Sequence, residues 1–422
     1  MKVTSFEWDG SEPRTIAGEI RTLQPALGEV GDAVARLIAE VREGGDEALV
    51  EIEARFGGSA PSVAELRQSA EAIESAPSRL DPELVGAMET AAANIRAVAE
   101  AQLADGSEVA LEQGQTVTLR EVPVGSAGIY APGGKAAYPS TVLMGCIPAK
   151  VGGVERVVLV TPPPVSDVVL AAASIAGVHE VYAVGGAQAI AALAIGTDRI
   201  PPVDVIAGPG NRYVQEAKRQ LAGQVGIDGI AGPSELMVIA GDTANPDWIA
   251  LDLCAQAEHG PDGLLVAAAV ETAILDAIEE STTKVAAERG IADDAPLALV
   301  AVPDTAGGVS LANAIAPEHL EILTEDARAL ADGVRTAGCV FIGERSATAF
   351  GDYAAGSNHV LPTGGAGRFQ GPLGPGVFRR RISTVSITQE AARLLAPTVA
   401  TLARAEGFPL HADSVEARAK ES

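Results

Sequence analysis

The alternation of short β-rich runs with helical segments constrains the fold more than any other feature of the sequence. Nine such runs follow one another from Thr116 onward: TVTLREVP, VERVVLVT, EVYAV, VDVIAGPG, ELMVIAG, GLLVAAA, LALVAV, HLEIL and CVFIG. Helical patterns such as SDVVLAAASIAG and AQAIAALAIG lie between them. Strands that alternate with helices predict a largely parallel sheet covered on both faces. So many strands predict two such sheets rather than one.

Helical segments flank this α/β region on both sides. From about Gly31 to Gly106, apolar residues recur at three- and four-residue spacing with charges between them, which predicts amphipathic helices. The segment EAARLLAPTVATLARAEG predicts a small helical tail at the other end of the chain.

Composition excludes several classes of partner. The formal net charge of −26 over 422 residues argues against nucleic acid and anionic membrane, because both demand a basic surface. The most apolar run, VVLAAASIAGV, is too short to span a bilayer, and the first residues lack the pattern of a signal peptide. Three widely spaced cysteines do not form a disulfide framework. We therefore expect a cytoplasmic protein.

Two glycine-containing turns between a strand and a helix are weak candidates for a nucleotide site. Gly185 and Gly186 precede one helix, and Pro209 and Gly210 precede another that opens at Asn211. The free N–H groups at a helix N-terminus favour a phosphate, but tight turns also need glycine. No GxGxxG fingerprint follows any of the strands, so both interpretations stay open.

Four of the five histidines lie in motifs dense in Gly, Pro, Asp and Glu, and one of these motifs predicts a metal site. Asn245 can cap a helix that begins at Pro246 and ends near Gly260, which places Gln256 and His259 on one helical face. Zinc needs about four N, O or S donors, so others must come from elsewhere. The best candidates are Asp352 and His411. A solvated helix end is the alternative.

Glu318 and His319, in PEHLE, form the strongest candidate acid/base pair. They directly precede a predicted strand, in a fold type whose reactive groups gather at strand ends. Histidine is the natural proton acceptor near neutral pH, and glutamate can activate a water. A surface ion pair beside a core imidazole is the alternative. Cys254 and Cys146 are interpreted as small buried apolar residues, because neither has a neighbouring cation in sequence to lower its thiol pKa.

Taken together, these motifs resemble histidinol dehydrogenase, a zinc- and NAD-dependent enzyme family. The resemblance covers almost the whole chain and is carried by YAPGGKAAYPSTVLM, IPAKVGGV, VGGAQAIAALAIGT, AGPGNRYVQEAK, AGPSE, QAEHGPD, PEHLE, GDYAAGSNHVLPTGG and HADSVEAR. It implies that zinc is held by the four residues nominated above, Gln256, His259, Asp352 and His411, and that Glu318 and His319 are catalytic.

The resemblance also implies further site residues and an assembly. The implied NAD contacts are Tyr130, Gln188 and Asn211. The implied substrate contacts are Ser234, Gln256, His259, His319, Asp352, His359, Glu406 and His411. The family is a homodimer whose small helical tail reaches the partner's active site, which would place His411 there. The implied fold is α/β, with two incomplete Rossmann-like sheets, a helical N-terminal segment and the tail.

The expected division of the chain follows from that resemblance. Residues 1–22 form an arm, residues 23–128 and 235–372 a first, discontinuous α/β domain with most of the zinc and acid/base site, residues 129–234 an inserted second domain on the NAD side, and residues 373–422 the tail.

The expected reaction is the four-electron oxidation of L-histidinol to L-histidine through L-histidinal. Departures from the family pattern at Ser126, Ala127 and Ile195, and a Gly- and Pro-rich GRFQGPLGPGVFRRR, leave the substrate and the NAD affinity less secure. A dehydrogenase of another small alcohol, such as a sulfonated diol, is the first alternative. A zinc hydrolase with Glu318 as base, or a non-catalytic metal-binding homologue, are the others.

Overall fold

The computed structural model describes residues 1–25, 28–56, 61–133, 137–291 and 294–420. The strands are β1 (Lys2–Glu7), β2 (Ser107–Ala110), β3 (Thr116–Pro123), β4 (Ser126–Tyr130), β5 (Arg156–Thr161), β6 (Val181–Ala183), β7 (Val205–Ala207), β8 (Gly226–Ile227), β9 (Glu235–Ala240), β10 (Leu264–Ala269), β11 (Pro296–Ala301), β12 (His319–Leu323), β13 (Cys339–Ile342) and β14 (Arg379–Ser386). The helices are α1 (Pro13–Arg21), α2 (Gly31–Phe56), α3 (Ala70–Ser75), α4 (Pro82–Ala101), α5 (Pro139–Val151), α6 (Asp167–Ile175), α7 (Gly186–Ile195), α8 (Arg212–Leu221), α9 (Pro246–Ala257), α10 (Thr272–Arg289), α11 (Thr305–Ile315), α12 (Ala327–Ala331), α13 (Thr348–Tyr353), α14 (Gln389–Ala405) and α15 (Pro409–Ala419).

A six-stranded sheet with the order β1-β11-β10-β9-β12-β13 forms the first half of the molecule, and every pairing in it is parallel. Alternate residues of β9 pack on opposite faces: Met237 joins the core beneath α1 and α11, and Leu236 joins the core beneath α9 and α10. Both faces are therefore buried, which explains why its central strands are continuous apolar runs.

A five-stranded parallel sheet with the order β6-β5-β4-β7-β8 forms the second half. Its two faces are covered by α4, α5 and α6 on one side and by α2, α7 and α8 on the other. Each of the nine β-rich runs contains one of the observed strands, and the α/β class with two parallel sheets is confirmed.

A third, antiparallel sheet of β14, β3 and β2 joins the last part of the chain to the rest. After it, α14 and α15 pack against each other around a small alanine core of Ala400, Ala403 and Ala412. In the described part of the chain, no helix is both long and apolar enough to cross a membrane.

The packing differs from the expected division in two places, both near the start of the chain. Residues 1–22 are not a separate arm, because β1 pairs with β11 and extends the six-stranded sheet. The helices of residues 31–101 pack on the five-stranded sheet and not on the six-stranded one: Leu49 and Ile52 of α2 and Ile95 of α4 belong to its two cores. An amphipathic helix shows in sequence which face it buries, but not which sheet receives that face.

The strands that the sequence did not predict are short, polar or glycine-containing. In β4, SAGIY, Gly128 replaces an apolar side chain, because a Cβ there would lie 2.8 Å from Leu193 Cδ1 of α7. The helix therefore approaches the sheet closely at that point. The predicted N-terminal helix ending in FGG and the segment YAPGGKAAYPSTVLM extend into Gly57, Gly58 and residues 134–136, which lie outside the described residues.

Candidate active site

Glu318 and His319 lie at the amino end of β12, beside the amino end of β9. Both side chains are almost completely buried, although each is ionisable. The main chain of Glu235, the first residue of β9, positions both. Its N–H donates to Glu318 Oε2 at 2.9 Å, and its carbonyl oxygen lies 3.1 Å from His319 Nδ1. The main chain of one residue therefore orients the whole predicted acid/base pair.

The same carbonyl determines which nitrogen of His319 can act as a base. A carbonyl oxygen only accepts hydrogen bonds, so Nδ1 must carry a hydrogen, and a neutral ring has its lone pair on Nε2. Nε2 lies 3.2 Å from Asp352 Oδ1. This contact is a hydrogen bond only when Nε2 is also protonated, so the arrangement is that of an imidazolium held by a carboxylate.

Burial and neighbouring charges shift the pKa of both members of the pair. Burial raises the pKa of Glu318 to about 7, against the opposing influence of His319 and of the Glu235 N–H. Burial alone would lower the pKa of His319, but the carboxylates of Glu318 and Asp352 outweigh it and raise that pKa to about 9. A carboxyl and an imidazole that both titrate near or above neutrality are suited to proton transfer.

His359 extends the cluster toward the second sheet. Its Nδ1 lies 2.9 Å from the carbonyl oxygen of Asp352, and its Nε2 lies 3.0 Å from the hydroxyl oxygen of Thr141, in the first turn of α5. Burial lowers the pKa of His359, and the charges of His319 and His259 lower it further. The cluster therefore lies between the amino edge of the six-stranded sheet and the helix that follows β4.

The predicted metal-binding motif lies at the end of α9. Asn245 caps this helix by accepting from the N–H groups of Asp247 and Trp248, as expected. The helix ends at Ala257, earlier than expected, so Gln256 lies in the last turn and is buried while His259 follows in an exposed turn. Glu258 is exposed.

Gln256 carries the feature that best fits a metal or ligand. Its Nε2 is buried and has no hydrogen-bond partner among the described residues. A buried hydrogen-bond donor without a partner lowers the stability of the fold unless a bound group beside it accepts the hydrogen bond. Within the described residues, no three or more His, Cys, Asp and Glu side chains cluster closely enough to hold a metal alone.

Two of the predicted site residues remain away from this cluster. Glu406 and His411 are exposed on the α14–α15 unit, where the His411 ring packs against Phe408 in a tilted arrangement with centroids 5.4 Å apart. Ser234, in contrast, directly precedes Glu235 and is half-buried.

The predicted NAD contacts lie at the carboxyl edge of the five-stranded sheet. The Tyr130 hydroxyl accepts from the N–H of Gly186 at 3.1 Å, and Gln188 lies in the first turn of α7. Asn211 is exposed and caps α8 by accepting from two N–H groups. Gly186 has φ 61°, a conformation that glycine adopts without strain.

Glu53 is a residue that sequence reasoning missed at this edge. Its buried carboxylate accepts from Gly185 N–H and from Gln188 Nε2, each at 2.7 Å. A carboxylate of the chain itself therefore occupies the helix N-terminus where the sequence suggested a phosphate. The available signal was a glutamate four residues after Leu49 on the buried face of α2. Glu235, Thr141 and Glu53 are all absent from the sequence-based set.

The cysteine interpretation is supported by burial. Burial raises the pKa of Cys146 to about 12 and that of Cys254 to about 11, so neither is a ready thiolate. Cys254 Sγ points to the carbonyl oxygen of Thr282.

Comparison with known proteins assigns the family. The family described as histidinol dehydrogenase matches residues 22–419. The chain belongs to the histidinol dehydrogenase family. It is 44% identical to the histidinol dehydrogenase of Pseudomonas savastanoi pv. phaseolicola over 92% of this chain and 89% of that protein. It is 42% identical to that of Rhizobium meliloti over 98% and 96% of the two chains.

A solved structure agrees with the sequence comparison. The crystal structure of histidinol dehydrogenase from Elizabethkingia anophelis aligns with a TM-score of 0.91 and 30% identity, covering 99% of this chain and 98% of that one. The resemblance stated from the motifs is thereby confirmed, and the chain is an oxidoreductase of the histidinol dehydrogenase family.

Proposed function

We propose that the protein oxidises L-histidinol to L-histidine through L-histidinal, the last step of histidine biosynthesis, in the cytoplasm. The observation that carries this proposal is the buried pair Glu318 and His319, which the main chain of Glu235 orients next to Asp352. When bound, NAD accepts a hydride in each of the two oxidation steps.

The residues that would hold zinc are Gln256, His259 and Asp352 of one chain and His411 of a second. When bound there, zinc supplies a fixed point that binds the imidazole and amine of the substrate and so orients its reacting carbon. Carboxylate and imidazole are common zinc donors, whereas a glutamine oxygen is an unusual one. Only Oε1 of Gln256 could bind the ion, and its buried, unpartnered Nε2 would donate a hydrogen bond to a bound molecule beside it.

His319 acts in the alcohol step through Nε2. The Glu235 carbonyl keeps Nδ1 protonated, so Nε2 takes the hydroxyl proton of the alcohol as the hydride leaves its carbon. This role requires a neutral ring. The carboxylates of Glu318 and Asp352 oppose the neutral state, because both raise the pKa of His319. An Asp352 carboxylate occupied by another partner would release this imidazole to act as a base.

Glu318 acts in the aldehyde step. Its Oε2 is held by the Glu235 N–H, so Oε1 is the oxygen that can take a proton from water. The water oxygen, whose proton passes to Glu318 Oε1, adds to the aldehyde carbon to give the anion of the hydrate. This anion loses the second hydride to NAD and becomes the carboxylic acid, and Glu318 then releases its proton to solvent. One water is consumed and two hydrides leave in the complete reaction.

Replacement of Glu318 tests the assignment. Glu318→Gln keeps an oxygen for the Glu235 N–H but removes the base, so histidinal oxidation should fall by about 10²–10⁴-fold. Histidinol oxidation to the aldehyde, read as the first NADH released in a single turnover, should fall far less. Histidinal oxidised at the wild-type rate by this variant would show that Glu318 is not the base.

We also propose that the protein is a homodimer with shared active sites. Leu394, Leu402 and Leu410 of the tail are exposed, and so are Phe350 and Tyr353 on the helix that carries Asp352. Large exposed apolar side chains of this kind mark interaction surfaces. Docking of one tail on the other chain's α13 would bury both groups and bring His411 to Asp352.

Mixed dimers test the shared site. Glu318→Gln and His411→Ala should each be nearly inactive as pure dimers. In a co-expressed mixture, half of the dimers combine both variants and have one intact site of two, so about a quarter of wild-type activity should return. No recovery in the mixture would place His411 in its own chain's site or in none.

A substrate panel separates the proposal from the alternatives. Histidinol, small diols and sulfonated diols are supplied with NAD, and NADH is followed by absorbance. Histidinol should be preferred by far, because an imidazole adds a donor that the diols lack. Turnover of a sulfonated diol alone would identify another alcohol dehydrogenase, and hydrolysis without NADH would identify a zinc hydrolase.

A further inference from the structure

Arg21, the last residue of α1, lies behind the catalytic pair without touching it. Its Nη1 donates to Glu235 Oε1 at 2.8 Å, and its Nη2 donates to Glu235 Oε2 at 3.2 Å. The Glu235 carboxylate is almost completely buried, and its Oε1 also accepts from the N–H of Gly364 at 3.1 Å. The side chain of Glu235 is therefore fixed from two sides, and the N–H and carbonyl groups of the same residue orient Glu318 and His319.

The same guanidinium also binds the main chain that directly precedes Glu318 and His319. Arg21 Nη2 donates to the carbonyl oxygen of Ile315, the last residue of α11, at 2.7 Å. Arg368 donates to the neighbouring carbonyl of Ala314. Both carbonyls belong to the last turn of the helix, where no backbone N–H is available for them.

Ala316, the next residue, is one of two non-glycine residues with positive φ in the described chain, at 53°. An alanine adopts this conformation only where its surroundings hold it there, and such strain is common next to functional sites. The helix therefore ends in a strained residue two positions before Glu318, and two arginines hold the carbonyls that precede it.

We propose that Arg21 is a positioning residue for the oxidation, which acts through Glu235 and the Ile315 carbonyl to hold Glu318 and His319 in register. Without the guanidinium, Glu235 would be a buried carboxylate with one N–H donor, and its side chain would have to turn toward solvent or take up a proton. Either change moves the main chain of Glu235, whose N–H and carbonyl groups contact the two catalytic side chains.

The geometry requires arginine and not merely a cation. The planar guanidinium contacts both Glu235 oxygens and the Ile315 carbonyl at once, whereas an ammonium group cannot reproduce this fork. The Arg21 side chain is 22% exposed, so a small cation can reach its place from solvent.

The inference rests on the proposed function and is tested on the full-length, zinc-loaded protein. The variants are Arg21→Ala, Arg21→Lys and the control Arg14→Ala, which removes an exposed arginine from the same helix. NADH formation from histidinol is measured per folded, zinc-loaded chain.

Displacement of a catalytic group by about 1 Å lowers rates by up to about 10²-fold. Arg21→Ala should therefore lower kcat by about 10- to 100-fold with KM changed by less than about threefold, Arg21→Lys should lie between it and wild type, and Arg14→Ala should match wild type.

Chemical rescue distinguishes positioning from a general contribution to folding. Millimolar guanidinium chloride should restore several-fold activity to Arg21→Ala, and should not act on wild type or Arg14→Ala. Sodium chloride at the same ionic strength should have no effect. The proposal is overturned if kcat per loaded chain is unchanged in Arg21→Ala, or if lost activity follows the lost folded fraction and guanidinium restores none.

The outcomes separate the two levels of inference. A wild-type protein that forms no NADH from histidinol refutes the proposed function itself. Wild-type activity with an equally active Arg21→Ala refutes only the positioning role. If Arg21→Ala does not fold, Arg21→Lys decides alone: a wild-type kcat in that variant overturns the proposal, and a several-fold decrease that guanidinium partly reverses supports it.

Discussion

The carboxyl edges of the two parallel sheets differ sharply in charge. At the edge of the six-stranded sheet, Asp242, Glu271, Asp304, Glu325 and Asp326 surround an open cleft of about 440 Å³. At the edge of the five-stranded sheet, the glycine turns stand beside Tyr130, with Arg212 exposed at the start of α8 and Lys218 buried against Asp228. Among the described residues at these two edges, the exposed positive charge of Arg212 lies at the second, so the proposed NAD site is expected there.

In the six-stranded sheet, the position of the acid/base pair is the reverse of the usual position of a ligand site. Ligands of open parallel sheets bind beyond the carboxyl ends of the strands. Here the proposed catalytic pair lies at the opposite, amino end of β9 and β12, and it faces the other sheet through His359 and Thr141. In the proposed mechanism, one sheet contributes its amino edge to the chemistry, and the other contributes its carboxyl edge to the cofactor site.

Metal removal tests the amino edge and has the largest expected effect. Chelation should abolish NADH formation, by about 10³-fold or more, because the substrate then loses the group that orients it. Added zinc should restore the rate, and the fold should remain intact by circular dichroism, because the hydrophobic cores on the two sheets include none of the predicted zinc ligands. A chelated protein that keeps its activity would remove the metal from the proposed mechanism.

Titration of the metal-free protein tests the electrostatics of that edge. With only five histidines in the chain, the ring nitrogens of His319 can be followed by NMR. His319 should stay protonated to about pH 9 in wild type. Asp352→Asn removes the negative charge 3.2 Å from Nε2, so the His319 pKa should fall well below that value.

The sign of the pH effect on stability follows from the same shift. Because the pKa of His319 in the folded state lies above its ordinary value of 6.5, its contribution to stability is complete below that value and is lost as the pH rises through about 9. Metal-free wild type should thus lose stability over this window, and Asp352→Asn should lose less. Equal pH dependence in the two proteins would contradict the role of Asp352.

Replacement of Glu53 tests the glycine turn of the other edge. Glu53→Ala removes the acceptor for Gly185 N–H and Gln188 Nε2, so the protein should lose about 2 kcal/mol of stability. The KM for NAD should rise about tenfold, a change of about 1.4 kcal/mol, because Gln188 and the turn lose their orientation. Glu51→Ala, which removes an exposed glutamate of the same helix, is the control. An unchanged KM for NAD in Glu53→Ala would separate this turn from cofactor binding.

The sequence predicted features that depend on neighbouring residues, but it did not predict contacts between residues that are distant in the chain. The strands, the α9 cap at Asn245 and the Glu318–His319 pair follow from periodicity, capping chemistry and motif composition. The roles of Glu235 and Glu53 depend on contacts across 83 and 132 residues of chain, respectively. A long-range contact between a carboxylate and a peptide leaves no local pattern.

The assignment of β1 and α2 failed for a related reason. A six-residue polar edge strand has half-exposed residues, so nothing in Lys2–Glu7 distinguishes it from an arm until β11 is beside it. The apolar face of α2 is clear in sequence, but either sheet could have received it. Tertiary packing alone selects the partner in both cases.

Neutralisation of the acidic edge should have the smallest effect, and it is the sharpest test of the comparison. Glu325 and Asp326 are exposed, so Glu325→Gln with Asp326→Asn should leave the fold intact. Exposed charges separated by more than about 10 Å at 0.1 M salt are largely screened. If NAD binds at the five-stranded sheet, its KM should therefore change by less than about twofold.

If the phosphates instead enter the acidic cleft, removal of two negative charges must tighten binding. The KM for NAD would then fall several-fold at low salt but not at high salt. The salt dependence distinguishes a local contact from a general effect of the net charge, because the control Glu19→Gln on α1 lowers the net negative charge as well, but away from either edge.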